Sequence, residues 1–196
     1  VMVYRPNSKA IAVSQGKGAT LDAACASGVM EAIETYHAEN ITAPLLRRSW
    51  NELTADRAVV DVERLPEVQD SIFDPDLQLD WIEGVELNTA CCLWVPYEMV
   101  HTDYTLPFPE GSGAFMASSN GLASGNHIVE AVNHGIAEVI ERDASAHWQI
   151  RLPHEPALGR LDLASIEDRV CRDLLDRFDR AGIDVALWDA TTDVGV

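Results

Sequence analysis

Positive charge is scarce in this chain. In 196 residues, 14 Lys and Arg stand against 32 Asp and Glu, a formal net charge of −18 at pH 7 with His neutral. Such an acidic surface argues against nucleic acid or an anionic membrane held through bulk charge. It leaves room for an anionic ligand that arrives with metal cations. Long hydrophobic runs are also missing: no apolar stretch approaches the ~20 residues of a membrane span. The opening residues Val1–Met2–Val3 carry no charged-then-apolar leader pattern. Cysteine is sparse, at Cys25, Cys91, Cys92 and Cys171, and no two are spaced C-x-x-C. Adjacent strand residues point to opposite faces, so Cys91 and Cys92 cannot act together from one side. Reduced, mostly buried cysteines and a cytoplasmic location are the expectation. No Ser–His–Asp order can be defended from spacing. The five tryptophans (Trp50, Trp81, Trp94, Trp148, Trp188) are scattered and read as core or interface. What is present is a globular composition, 47% hydrophobic and 23% charged, long enough for one large domain or two small ones.

The element pattern is α/β, with long helices expected against mixed sheet in two pseudo-symmetric halves. Lys9 to Gln15 reads as a strand running into a turn at Gly16 and Gly18. Thr20 is a good N-cap for a helix over Leu21 to Glu39. From Asn40 to Leu79 the text is mixed, with Pro44, Pro66 and Pro75, and reads as loops and short elements. Trp81 to Leu87 and Cys91 to Val95 read as paired strands around Asn88. Tyr104 to Ser119 holds Pro107, Pro109, Gly111 and Gly113 and reads as a long loop. Asn126 is expected to cap a second long helix from His127 to about Ile150. A third helix over Leu163 to Ala181 and a strand over Asp184 to Trp188 complete the expectation.

An internal repeat organises the sequence. The segment from Gly18 to Tyr36 aligns without a gap on Gly125 to Asp143, at an offset of 107 residues. Gly18 meets Gly125, Ala24 meets Ala131, Gly28 meets Gly135, Glu31 meets Glu138, Ile33 meets Ile140 and Glu34 meets Glu141. Two Ala- and Glu-rich helices share identities by chance. The shared frame, a Gly turn, a helix start and then G-x-x-E-x-I-E, favours duplication into two similar halves.

Each helix carries a narrow ionisable stripe. On the second, His127, Glu130, His134, Glu138 and Glu141 follow spacings of 3, 4, 4 and 3, between apolar neighbours such as Val129, Ile136 and Ile140. On the first, Thr20, Ala24, Ser27, Glu31, Glu34 and Ala38 do the same. The apolar remainder of each helix is expected to be buried. The bland reading is a solvated face. Such faces usually mix Glu with Lys four residues away, because each such pair is worth ~0.2–0.5 kcal/mol; these stripes contain no Lys or Arg. Carboxylates partly buried in an apolar helix need a cation or they protonate. Brought together, Glu31, Glu34, Glu138 and Glu141 would form an oxygen-only site suited to Mg²⁺ or Mn²⁺. A rival reading is a di-iron bundle, since Glu34-x-x-His37 has the E-x-x-H spacing. It needs a second such motif, and Ala144 stands where its His would be.

Two Gly-rich stretches bear on an anion. Ser14-Gln-Gly-Lys-Gly18 lacks P-loop spacing. Ser118-Ser-Asn-Gly-Leu-Ala-Ser-Gly-Asn126 lies just before a helix N-terminus, where backbone N–H groups gather. By itself that is a turn; beside a carboxylate stripe on the same helix, a phosphate and a metal support one another. Arg142 is either a phosphate contact or a surface partner of Asp143 or Glu138.

The segments Ser14-QGKGATLDAACASGVMEAIETYHAE to Glu39 and Ser119-NGLASGNHIVEAVNHGIAEVIERDA to Ala144 resemble the YcaO domain family. The stretch Trp94-VPYEMVHTDYTLP looks most like the subgroup accompanied by a TfuA-like partner. The resemblance implies ATP and Mg²⁺ as cofactors and phosphorylation of a peptide backbone amide oxygen. The product would be an azoline, when a Cys, Ser or Thr of the precursor peptide adds first, or a thioamide with external sulfide. Matched by motif, it implies nucleotide contacts at Ser27, Asn126, Glu130 and Arg142 and Mg²⁺ ligands at Glu31, Glu34, Glu138 and Glu141. It implies a precursor-peptide substrate, a TfuA-like partner and a homodimer as a candidate assembly, with no nucleic acid and no membrane. Thr35 stands where the family often has Arg, and Ala123 where Ser is frequent. Family members are about twice this length, so further nucleotide contacts and an often Pro-rich tail are expected outside this sequence. The activity of this stretch by itself therefore stays open. The alternative is a catalytically silent module that binds a peptide or partner and keeps its glutamates as a structural network.

Overall fold

The computed structural model describes residues 1–154 and 159–195. Its contacts divide the chain into two compact units, Val1–Gly135 and Ile136–Val196. The architecture is the expected α/β type with long helices, and its named strands, expected in mixed sheets, all pair antiparallel in two small sheets. Among the described residues no helix is long and apolar enough to cross a membrane.

The first unit opens with a two-stranded sheet. β1 (Met2–Tyr4) pairs antiparallel with β2 (Val13–Gln15), Val3 opposite Ser14. The expected strand from Lys9 is shorter, because Ser8, Lys9 and Ala10 bond instead to Glu39. Helix α1 (Leu21–Glu39) has the expected bounds and cap, the Thr20 side chain accepting from the Ala23 N–H at 3.2 Å.

A three-stranded antiparallel sheet follows, formed by β3 (Leu45–Arg48), β4 (Leu79–Val85) and β5 (Cys92–Pro96), with β4 in the centre. β4 and β5 pair as expected, Trp81 opposite Pro96 and Glu83 opposite Trp94. The connection turns through Ala90 at φ 56°, its N–H bonded to the Glu86 carbonyl. Between β3 and β4 lies α2 (Trp50–Thr54), closed by a capping box: Ser49 Oγ accepts from the Glu52 N–H, and Glu52 Oε2 accepts from the Ser49 N–H. Ser49-x-x-Glu52 is the sequence signature of such a box, set within the stretch expected to hold loops and short elements.

The core of this unit gathers on the sheet. Leu53, Val62, Leu79, Trp81, Trp94, Ala114 and Phe115 are buried together, with Phe73, Leu77 and Met99 packed against them. Trp81 is fully buried and donates Nε1–H to the Arg48 carbonyl at 2.9 Å. The long loop contributes Ala114 and Phe115 because the Glu98 carboxylate accepts the N–H groups of Gly113, Ala114 and Phe115 at 2.7–3.2 Å. One carboxylate thus satisfies three loop amides that would otherwise be buried unpaired.

Helix α3 (Ile128–Arg151) runs from the first unit into the second. Its cap differs from the expectation. His127 holds the cap position, Nδ1 accepting from the Val129 N–H and its carbonyl from the Ala131 N–H. Asn126 is instead engaged with the Glu130 side chain.

In the second unit the expected third helix is broken. A short 3₁₀ turn at Leu163–Ser165 ends at Ile166, and α4 (Arg169–Arg180) starts afresh where Asp168 accepts from the Cys171 N–H at 2.8 Å. The side chain of Asp168 outcompetes continuation of the helix. The expected strand at Asp184 to Trp188 is reduced to a bridge between Trp188 and Arg160, with two flanking backbone bonds. Trp188 packs on Trp148 at 5.8 Å between ring centroids.

Two expectations about burial are corrected. All four cysteines are free and exposed: Cys91 and Cys92 sit at the hairpin end beyond the core, Cys25 and Cys171 on outer helix faces. The helices, expected to be mostly buried, bury little. In α1 only Gly28, Ala32, Ala38 and Glu39 are buried, while Val29, Ile33, Val129, Ile136 and Val139 are exposed. Apolar periodicity reports a face suited to burial, not whether this chain supplies the surface that covers it.

Candidate nucleotide and metal site

The site is built on two helix starts. At α1 the chain passes so close to the helix that only glycine fits. A Cβ on Gly18 would lie 2.6 Å from the Ala24 N, and one on Gly16 would lie 1.9 Å from the Ala24 carbonyl oxygen. At α3 the approach recurs: a Cβ on Gly125 would lie 2.7 Å from the Ala131 N. Gly18 and Ala24 are the residues that the offset of 107 maps onto Gly125 and Ala131. Further along, a Cβ on Gly28 would meet the Gly16 backbone at 3.1–3.2 Å, and one on Gly135 would meet the Ala123 Cβ at 3.6 Å and the Gly121 carbonyl oxygen at 2.6 Å. Ala123 is the counterpart of Gly16. Gly18 and Gly125 thus make the same approach, while Gly28 and Gly135 meet different neighbours at different distances.

These approaches decide where the polar side chains fall. On α1, Ser27 Oγ accepts the Lys17 N–H at 3.3 Å, which ties the Gly turn to the helix. Glu31 follows four residues on and is exposed; Glu34 is half-buried. Thr35 returns its hydroxyl to the Glu31 carbonyl at 2.9 Å. On α3, Asn126 donates its backbone N–H to Glu130 Oε2 at 2.9 Å and its side-chain amide to the same carboxylate at 3.2 Å. His134 Nδ1 lies 3.3 Å from the Ser124 carbonyl oxygen. The Ser118–Asn126 loop is therefore tied down at two points along α3.

In the second unit Glu138 is half-buried and pairs with Arg142 Nη2, four residues on. Glu141 is exposed and lines a cleft of about 500 Å³ with Ala137, Ile140, Ala144, Ser145 and Thr191. Of the residues expected at the site, Asn126 with Glu130 and Glu138 with Arg142 are thus brought into direct contact. Glu31 and Glu34 share one edge of α1, and Glu138 and Glu141 one edge of α3. Among the described residues no group of three or more His, Cys, Asp or Glu side chains stands ready to hold a metal ion. Each unit presents one carboxylate pair spaced i, i+3.

The family described as YcaO cyclodehydratase, ATP- and Mg²⁺-binding, matches residues 15–196. The chain belongs to the YcaO family. An uncharacterized protein in the tfuA 3′ region of Rhizobium leguminosarum bv. trifolii is 38% identical over 98% of this YcaO chain and 45% of its own length. An uncharacterized protein of Methanothermobacter thermautotrophicus is 34% identical over 98% of this chain and 48% of its own length. The chain spans less than half the length of these curated relatives. Among solved structures, a heterocyclase in complex with substrate and cofactor superposes with a TM-score of 0.77 at 25% identity, over 93% of this chain and 26% of that one. YcaO from Methanopyrus kandleri, bound with AMPPCP and Mg²⁺, superposes with a TM-score of 0.60 at 26% identity, over 86% of this chain and 39% of that one.

The sequence reading missed the charged cluster at the other end of α1 in this YcaO chain. Arg5 forms a two-pronged ion pair with Glu39, Nη1 to Oε2 and Nη2 to Oε1, both at 2.8 Å. Lys9 pairs with Asp103 at 2.9 Å. The signal was available: Glu39 places a carboxylate at the negative end of a helix dipole, where cations are favoured.

Proposed function

We propose that this chain is the ATP- and Mg²⁺-binding part of an enzyme that activates a backbone amide of a precursor peptide. In this reading Glu31, Glu34, Glu138 and Glu141 hold Mg²⁺, and Ser27, Asn126, Glu130 and Arg142 contact the nucleotide. The donor set fits the group. Mg²⁺ keeps several waters and takes one or two carboxylates together with phosphate oxygens, rather than a dedicated protein cage. Oxygen-only pairs on two helix edges suit that habit. When bound, ATP with Mg²⁺ supplies the phosphoryl group that turns an amide oxygen into a leaving group and the charge that stabilises its transfer.

The chain's own residues bind and orient. The Gly turns bring backbone close to the helix starts, where N–H groups favour an anion. Glu130 fixes Asn126 through its backbone and side-chain N–H groups, so the head of α3 is set before a nucleotide arrives. Phosphoryl transfer needs positioning and charge compensation more than a covalent protein nucleophile. The relative in the tfuA 3′ region supports a TfuA-like partner, and the choice between azoline and thioamide rests with the partner and the nucleophile. The observation that carries the proposal is the pair of carboxylate edges, each set behind the same glycine approach.

A second reading is a silent binding module, and the Arg142–Glu138 pair favours it, because it satisfies one glutamate without a metal. Calorimetry of nucleotide binding with and without Mg²⁺, beside Glu138→Ala, separates the two. Metal-dependent binding that Glu138→Ala abolishes supports the enzyme reading. Binding of a partner protein that ignores both nucleotide and Glu138→Ala, in a protein that takes up no Mg²⁺–ATP, overturns it.

A further inference from the structure

The Arg5–Glu39 cluster breaks two local rules at once. A carboxylate at the last residue of a helix faces the negative end of the dipole. Burying it adds a desolvation cost. Yet the Glu39 side chain is only 1% exposed. A cation at this position would have served helix stability better. The arrangement is compensated at length, by residues far away in sequence.

Both Glu39 oxygens are occupied. Arg5 takes them in a fork, Ser8 Oγ donates to Oε1 at 2.7 Å, and the Ala10 N–H reaches Oε1 at 3.1 Å. The helix's last carbonyls are capped by the same region: Lys9 Nζ donates to the Glu39 carbonyl at 3.0 Å and the Thr102 N–H to the Ala38 carbonyl at 3.0 Å. Lys9 also holds Asp103, and the Tyr104 N–H donates to the Lys9 carbonyl at 3.2 Å. The strongest force on the Glu39 carboxyl is Arg5; it holds the pKa at about 2 against the opposing effect of burial, so the pair is ionised at any working pH. A fork between guanidinium and carboxylate fixes orientation as well as distance. Here it fixes the rotation and height of α1, five residues beyond Glu34, about 7.5 Å along the axis.

We propose that Arg5, Ser8 and Lys9 form a positioning clamp on the C-terminal end of α1 that sets the Glu31–Glu34 edge for Mg²⁺ before the metal arrives. This rests on the reading of that edge as a metal site. The clamp acts through α1, so its effect falls on binding that needs the metal and spares contacts a nucleotide makes without it. A merely structural pair would lower stability and leave that difference unchanged.

The test compares wild type with Glu39→Gln, which keeps shape and loses charge, and Arg5→Lys, which keeps charge and loses the fork. Affinity for AMPPCP is measured with and without Mg²⁺, and amide hydrogen exchange is followed along α1 and across β4 and β5. In Glu39→Gln the expected result is faster exchange in the last two turns of α1, unchanged protection in β4 and β5, and an affinity with Mg²⁺ about tenfold weaker. Metal-free affinity stays at the wild-type value, and Arg5→Lys falls between. If Glu39→Gln fails to fold, Arg5→Lys alone carries the comparison, with a smaller loss of the same kind. Equal losses with and without Mg²⁺, or wild-type affinity despite faster exchange in α1, overturn the clamp alone. A wild-type protein that binds no AMPPCP under either condition overturns the metal-site reading and the clamp with it.

Discussion

The helices α1 and α3 begin alike and are held differently. Gly18 and Gly125 approach their helices to within 0.1 Å of the same distance, 2.6 and 2.7 Å for a built Cβ. Beyond that start, the side-chain bonds described on the α3 stripe stay near in sequence: Asn126 with Glu130 and Glu138 with Arg142 span four residues, and His134 with the Ser124 carbonyl spans ten. The Glu39 side chain at the end of α1 instead bonds partners 29 to 34 residues away in sequence. Bonds near in sequence need only the helix and the loop before it. Long-range ones are made only when the N-terminal segment has folded over the helix end, so they carry tertiary information that the repeat pattern does not.

The largest effect should come from breaking the two ion pairs in turn. Arg5→Ala leaves the buried Glu39 charge uncompensated and is expected to cost about 3–5 kcal/mol. Arg142→Ala removes a solvent-facing i, i+4 pair and should stay within about 1 kcal/mol. Urea unfolding of both variants measures the contrast, and equal losses would erase it.

Acid titration sharpens the same difference. The Glu39 carboxyl has a pKa of about 2 in the fold against 4.5 ordinarily. A lowered carboxylate pKa means that the unfolded chain binds the proton first. Its stabilisation is complete above pH 4.5 and is lost as pH falls toward 2, amounting to about 3 kcal/mol. Glu39→Gln should flatten that part of the stability curve. His101 acts earlier. Burial holds its imidazole below the ordinary 6.5, its ring stacks on Tyr97 at 4.6 Å, and Nδ1 accepts the Asp103 N–H. Protonation is therefore favoured in the unfolded chain, and stability should begin to fall as pH drops below about 6.5. In His101→Gln that early slope should vanish while the later one from Glu39 persists.

The smallest contrast concerns the second glycine of each repeat. A Cβ on Gly135 would lie 2.6 Å from a backbone oxygen, whereas one on Gly28 finds its nearest atoms at 3.0–3.2 Å. Gly135→Ala should cost about 2–3 kcal/mol and Gly28→Ala about 1 kcal/mol, read as a difference in unfolding midpoint. Equal costs would mean that the two starts adapt alike.

Much of this was legible beforehand. Thr20 and the apolar spacing placed α1 at its true bounds, and the flanking patterns placed β4 and β5. The carboxylate edges were visible as stripes, but the stripe pattern left out Arg142, which stands four residues beyond Glu138 and pairs with it. Other features were not, for identifiable reasons. Asn126 is a good cap by type, but the Glu130 side chain competes for it, and His127 takes the position. Asp168 could continue a helix or start one, and only its bond to the Cys171 N–H decides. Burial of Val29, Ile33, Val129 and Ile136 could not be read from periodicity, which marks a face and says nothing of its cover.

The sequence by itself determined the start of α1, the hairpin, the two carboxylate pairs and the family, because each rests on spacing within a few turns of chain and on the recurrence of one motif. The tertiary structure alone decided that Glu39 is buried against Arg5, Ser8 and Lys9, that Glu98 gathers three loop amides, and that the apolar sides of α1 and α3 stay open. Those outcomes depend on which distant segments meet, and neither residue type nor periodicity encodes that meeting at either end.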